Sequence, residues 1–236
     1  MIPLRDSLRS RKTPVVTVGI IGVCLLVYGY QVMEPRVTQL YGFRPVELVS
    51  WEVVERPLAV LRTLVTSVFL HGGLLHIGGN MLFLWVFGDN VEDRLGHLKF
   101  IVFYIVCGVA ANLVHALSTV VSGDASTPTV GASGAIAGVL GAYFVAFRGA
   151  RVLTFIPFLW FFGLVEVQAF FWIGFWFVMQ LFPAIGSLGG GGSNIAFFAH
   201  IGGFLAGILL WRLMAPRPRP PAVSRGARLV RFEEEW

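Results

Sequence analysis

A few polar residues interrupt long apolar runs in this sequence, and their types suit acyl-transfer chemistry. Ser133 begins the fourth run, His200 lies in the sixth, and His76 lies in the second with Asn80 one helical turn further on. Polar side chains inside apolar spans are costly and are functional candidates by default. A serine beside a histidine is a nucleophile–base pair, and the other two side chains are donors for an oxyanion.

The serine lies within the segment 131–138, Gly-Ala-Ser-Gly-Ala-Ile-Ala-Gly, where a helix is expected to begin. Three glycines spaced along this helix, Gly134, Gly138 and Gly141, predict a face for close packing against another helix. That packing does not explain the position of Ser133. At a helix start the first backbone N–H groups have no intrahelical acceptor, which suits an oxyanion hole.

Three of the candidate residues are predicted to lie at one depth. Ser133, His200 and His76 are 15, 12 and 13 residues from the first charged residue toward the inner side. At roughly 1.5 Å per residue, these distances place all three roughly 10 Å below the outer surface of a core about 30 Å thick. No carboxylate lies at that depth, so we predict a dyad. A metal site would lack a third ligand there, and we expect neither metal nor cofactor.

Two more polar residues, Asn112 and His115, lie three apart on one face of the third run. We interpret them as inter-helix hydrogen-bonding residues, with a proton or ion path as the alternative.

The elements that must position these residues are predicted to be membrane helices. Of 236 residues, 56% are hydrophobic and 13% charged, against roughly a quarter charged in soluble domains. This composition excludes a disordered chain and disfavours a soluble enzyme. We predict an all-α membrane protein with an interfacial first loop over 33–72. The six expected spans cover about 15–32, 74–87, 98–121, 134–147, 169–182 and 195–213.

Charge predicts the orientation of these spans. Fourteen Lys and Arg residues fall on the side of both termini and four on the other, so we expect both termini in the cytoplasm. The apolar segment 152–165 is interpreted as an interfacial loop, and a seventh span is the alternative. We divide the chain into a basic N-terminus (1–14), a membrane domain (15–213) and a disordered Pro/Arg-rich tail (214–236). The basic tails indicate contact with lipid rather than nucleic acid.

Three motifs in register resemble those of the rhomboid intramembrane serine proteases. They are His76-x-x-x-Asn80, Gly131-x-Ser133-Gly134 and Ala199-His200-x-x-Gly203-x-x-x-Gly207, on spans two, four and six. The run Val91-Glu92-Asp93-Arg94-Leu95-Gly96 and His71, just before the second span, are also similar. The resemblance covers about residues 60–212.

The resemblance implies a six-helix bundle around a water-filled cavity open to the outside. It implies Ser133 as nucleophile, His200 as general base, and His76, Asn80 and the backbone N–H groups of Ala132 and Ser133 as the oxyanion site. Substrates would be transmembrane segments with small residues near the scissile bond. The resemblance also suggests a bacterial cytoplasmic membrane, and oligomeric state stays open.

The chain departs from this family at the position four residues after the serine. Many members place an aromatic residue four positions after the serine, stacked on the histidine, where this chain has Ala137. His200 is therefore expected to be held by another contact. Two functions compete with a protease: a catalytically silent relative that binds transmembrane helices, and a small transporter. A transporter would require charges or broken helices at the midplane, and the spans carry no acid there.

Overall fold

The helices of the protein follow the apolar runs of its sequence. A computed structural model describes residues 1–122, 125–158, 161–187 and 197–216. Its helices are α1 (Val15–Met33), α2 (Arg36–Tyr41), α3 (Val46–Val49), α4 (Glu52–Glu55), α5 (Pro57–Thr66), a 3-10 turn (Ser67–Phe69), α6 (Leu74–Leu95), α7 (His97–Ser122), α8 (Ser133–Ala146), α9 (Ala169–Ser187) and α10 (Phe197–Met214).

Four described helices, α1, α7, α9 and α10, are long and apolar enough to cross a membrane. A fifth span arises if α5 and α6, which meet at a bend of 82°, count as one broken span. Helix α8 has only 14 residues, fewer than the roughly 20 that a bilayer core requires. The protein is thus a multi-pass membrane protein, while the count of six spans stays a prediction.

The connection 33–72, predicted as an interfacial loop, contains the short helices α2 to α5. Helix α9 continues past Pro183 to Ser187, so the fifth run is longer than predicted. The glycine-rich residues 188–194 and most of the predicted tail, 217–236, lie outside the described residues.

A three-stranded antiparallel sheet corrects the all-α prediction. Its strands β1 (Ile2–Asp6), β2 (Arg151–Phe158) and β3 (Phe161–Gln168) pair in that order. Residues 152–158 and 161–165 therefore lie in strands and form no seventh helical span, and the N-terminus begins with an edge strand. The segment 152–165 is rich in β-branched and aromatic residues, which favour strands. Its periodicity alone could not separate a strand from a helix.

Helices α8 and α10 approach each other closely through glycines. An ideal Cβ on Gly203 would overlap the carbonyl oxygen of Gly134, and one on Gly207 would overlap that of Gly138. Because both contacts advance by four residues in the same direction, the two helices run parallel. The first turns of α8 and α10, which carry Ser133 and His200, are therefore side by side.

Strand β1 is attached to the bundle by the carboxylate of Asp6. This carboxylate accepts hydrogen bonds from Tyr143 Oη and, at 2.8 Å, from Asn90 Nδ2. Burial raises the pKa of Asp6 from 3.8 to about 6; the Tyr143 hydrogen bond opposes this shift and the charge of nearby Asp89 adds to it. The folded state thus binds a proton at Asp6 more tightly than the unfolded chain.

This proton binding predicts a pH-dependent stability. Since the folded-state pKa is the higher one, the contribution of Asp6 to stability is lost as pH rises from about 4 to about 6. Replacing Asp6 with Asn should flatten the dependence of melting temperature on pH over that window. Glu166→Gln, at a half-exposed carboxylate 3.8 Å from Arg151, is the control and should retain the wild-type slope. An unchanged slope in Asp6→Asn would contradict this assignment.

Candidate active site

Ser133 is the first residue of α8, and a glycine with a positive φ angle lies two residues before it. Gly131 has φ +135°, a conformation that L side chains rarely adopt. Its N–H donates to the carbonyl oxygen of Ser67 at 2.9 Å, which fixes the approach of the chain to the helix. Ala132 is fully buried between them. The first backbone N–H groups of α8 have no acceptor within the helix, so they are available to an acceptor that binds next to Ser133.

His76 is next to this helix start. The position of an ideal Cβ on Gly131 is 2.9 Å from His76 Nε2 and 3.6 Å from Ser133 Oγ. A side chain at position 131 would therefore displace the imidazole. The N–H of Gly72 donates to His76 Nδ1 at 3.3 Å, so a neutral ring carries its proton on Nε2. That nitrogen is consequently a donor on the side of Ser133.

Asn80 lies one turn further along α6 and is 8% exposed. Within the described parts of the chain, its Nδ2 has no hydrogen-bond partner. A buried donor without an acceptor costs about 1–3 kcal/mol. An amide kept in that state is consistent with an acceptor that is present only when a ligand or a reaction intermediate is bound.

His200 is the fourth residue of α10, and a contact from α9 holds its ring. Its Nδ1 is 2.8 Å from Gln180 Oε1, and the ring of Trp176 lies at a tilt with centroids 5.9 Å apart. Gln180 and Trp176 thus contact the imidazole of His200, where the family pattern would place an aromatic residue at position 137. Among the described residues no hydrogen bond joins Ser133 to His200. Such bonds are often long before substrate binds.

His71 supports the site from the segment between the 3-10 turn and α6. It is 2% exposed and contacts His76 edge to face, with ring centroids 5.4 Å apart. The side chain of Gln31 on α1 holds its backbone: the N–H of His71 donates to Oε1 at 3.0 Å, and Nε2 donates to the His71 carbonyl at 3.2 Å.

Asn112 forms the inter-helix hydrogen bonds predicted for it. Its Nδ2 donates to the carbonyl of Leu64 and to Ser67 Oγ, each at 2.9 Å. Because the carbonyl of Ser67 accepts the N–H of Gly131, this amide fixes the backbone that leads to Ser133.

Sequence reasoning missed two residues of this region, Gln31 and Gln180. Both are polar residues inside predicted spans, and the cost of such placement was a signal that could have found them. They were overlooked because neither belongs to a motif. In the described part of the chain, no three His, Cys, Asp or Glu side chains are placed to hold a metal ion.

Fold and site together define a multi-pass membrane protein in which Ser133, His200 and His76 lie in the first turns of α8, α10 and α6, with Asn80 one turn further along α6. Residues 59–217 match the sequence model of the Rhomboid domain. The chain belongs to the rhomboid family.

Similar curated proteins carry rhomboid names. The chain is 31% identical over 148 residues to "Rhomboid protein 1, mitochondrial" of Saccharomyces cerevisiae, covering 62% of this chain and 40% of that protein. It is 29% identical over 156 residues to "RHOMBOID-like protein 6, mitochondrial" of Arabidopsis thaliana, covering 66% and 44%. The human "Presenilin-associated rhomboid-like protein, mitochondrial" is 35% identical over 95 residues, covering 40% and 25%. The matches span less than half the length of these relatives, and their names give no support to the bacterial membrane we expected.

Proposed function

We propose that this protein is an intramembrane serine endopeptidase that cleaves transmembrane segments with a Ser133–His200 dyad. The observation that supports the proposal is a set of donors at the start of α8 and in the first two turns of α6. It comprises His76 Nε2, which carries the proton of the neutral ring, the Asn80 amide, whose Nδ2 has no hydrogen-bond partner among the described residues, and the first N–H groups of α8. Donors of this kind stabilise the negative charge that develops on a carbonyl oxygen during acyl transfer.

The proposed reaction begins at Ser133. Its Oγ attacks the scissile carbonyl carbon while His200 Nε2 accepts the hydroxyl proton. The oxygen of the tetrahedral intermediate binds His76, Asn80 and the N–H groups of Ala132 and Ser133. His200 then protonates the leaving amine, the C–N bond breaks, and an ester forms on Ser133. Water, activated by the same histidine, hydrolyses this ester and restores the serine.

Small residues near the scissile bond of the substrate would suit this site, as the resemblance to the rhomboid proteases implies. Glycines on α8 and α10 keep the two helices close, which supports a narrow and rigid site.

The proposed topology places both termini on the cytoplasmic side, with the site opening toward the outer face. The excess of basic residues on the side of the termini supports this orientation. A C-terminal reporter that is active only outside the cytoplasm would contradict it.

The experiment that tests the function uses the full chain in liposomes with a transmembrane substrate and with a small fluorophosphonate. The wild-type protein should cleave the substrate and become labelled, and Ser133→Ala should do neither. A silent relative that binds transmembrane helices would retain substrate without cleavage or labelling in both proteins.

A further inference from the structure

The ring of His200 is held by a residue of another helix. Gln180 lies on the face of α9 that packs against α10, one turn beyond Trp176. On the same face Phe177 stacks on Phe204, with ring centroids 4.3 Å apart. The opposite face of α9 is exposed, as Met179 at 40% and Phe182 at 66% illustrate. Gln180 therefore faces the bundle with its polar atoms next to His200.

The orientation of the Gln180 amide follows from its second hydrogen bond. Its Nε2 donates to the carbonyl oxygen of Trp176 at 3.2 Å. A carbonyl oxygen only accepts, so the amide nitrogen must face Trp176 and the amide oxygen must face His200. That oxygen is 2.8 Å from His200 Nδ1, which must therefore carry the proton. In the neutral ring the lone pair is then on Nε2, the form that accepts a proton from a serine.

We propose that Gln180 is the positioning residue of His200, fixing the orientation and tautomer of the imidazole in the proposed dyad. The inference rests on the proposed function for its catalytic consequence. Among the described residues no carboxylate contacts His200. The neutral amide of Gln180 on α9 instead orients the histidine, as the acid does in a Ser-His-Asp triad.

Three variants of the full chain test this proposal. Gln180→Leu removes the acceptor. Gln180→Glu, when protonated, reproduces both bonds, since its hydroxyl donates to the Trp176 carbonyl and its other oxygen accepts from His200. Met179→Leu, on the exposed face of the same helix, is the matched control. Melting temperature is measured for each protein, so that loss of folding is recognised.

The activity measurements use a transmembrane substrate and a small fluorophosphonate. Gln180→Leu should lower kcat and the labelling rate together by about 10- to 100-fold, a part of the 10²–10⁴-fold that a positioned base contributes, with KM changed less than about twofold. Gln180→Glu should recover most of this loss, and Met179→Leu should behave as wild type. A Gln180→Leu protein that loses substrate cleavage but labels at the wild-type rate would place the effect on substrate entry and overturn the proposal.

A spectroscopic measurement separates this inference from the proposed function. In ¹⁵N-histidine-labelled protein, the His200 signal, assigned by its loss in His200→Ala, reports which ring nitrogen carries the proton. We expect the Nδ1–H form in wild type and a mixture in Gln180→Leu. An Nε2–H form in wild type would overturn the inference even in an active protein. An inactive wild type with the Nδ1–H form would refute only the proposed function.

Discussion

Loss of Ser133 and loss of His200 should each reduce cleavage by a factor on the order of 10⁴ to 10⁶, and the double variant should be no worse than either single one. The reason is that a base without its nucleophile, or a nucleophile without its base, has nothing left to contribute. The measurement is kcat/KM for Ser133→Ala, His200→Ala and the double variant in liposomes, with binding of the substrate recorded separately.

The contrary result would be multiplicative losses, which would show that the two residues act independently. A control for the integrity of the fold is needed because both residues lie where α8 and α10 touch. Gly22→Ala on α1, where an added Cβ meets nothing within 4 Å, should leave cleavage unchanged. Equal melting temperatures for the dyad variants and wild type would assign their losses to chemistry.

The sequence predicted the placement of the long helices because their apolar runs differ sharply from their surroundings. The sequence also predicted that Ser133 and His76 lie close together, because both belong to recognisable motifs. The structure confirms this, since both side chains lie next to Gly131. Strand β2 and its partner strands were not predicted, because the periodicity of a short apolar run rich in β-branched residues does not distinguish a strand from a helix. Pairing with the N-terminus, about 150 residues away, is a tertiary event that local propensity cannot reveal.

The contact between Gln180 and His200 was not predicted, for a different reason. Ala137 indicated only that the expected aromatic stack was missing, and the replacement lies on another helix. Which side of α9 faces α10 is set by packing, such as the stack of Phe177 on Phe204. Only the three-dimensional structure pairs Gln180 with His200 rather than with lipid or solvent.

The second large effect is expected at the oxyanion donors. His76→Ala should lower kcat by about 10²- to 10³-fold, the usual loss for one such donor, with KM nearly unchanged because the donor acts on charge that develops only in the transition state. Asn80→Leu should cost less, since other donors to the oxyanion remain.

Stability distinguishes this role of Asn80 from a structural one, and Asn112 is the matched control. Both are buried amides, at 8% and 7% exposure, but Asn112 has two acceptors for its Nδ2 and Asn80 Nδ2 has none among the described residues. Asn112→Leu should therefore lower the melting temperature, because it leaves the Leu64 carbonyl without its side-chain donor. Asn80→Leu should leave the melting temperature unchanged or raise it, because it removes a buried donor that the resting protein does not satisfy. A variant at Asn80 that melts early and retains kcat would assign this amide to the fold rather than to the oxyanion.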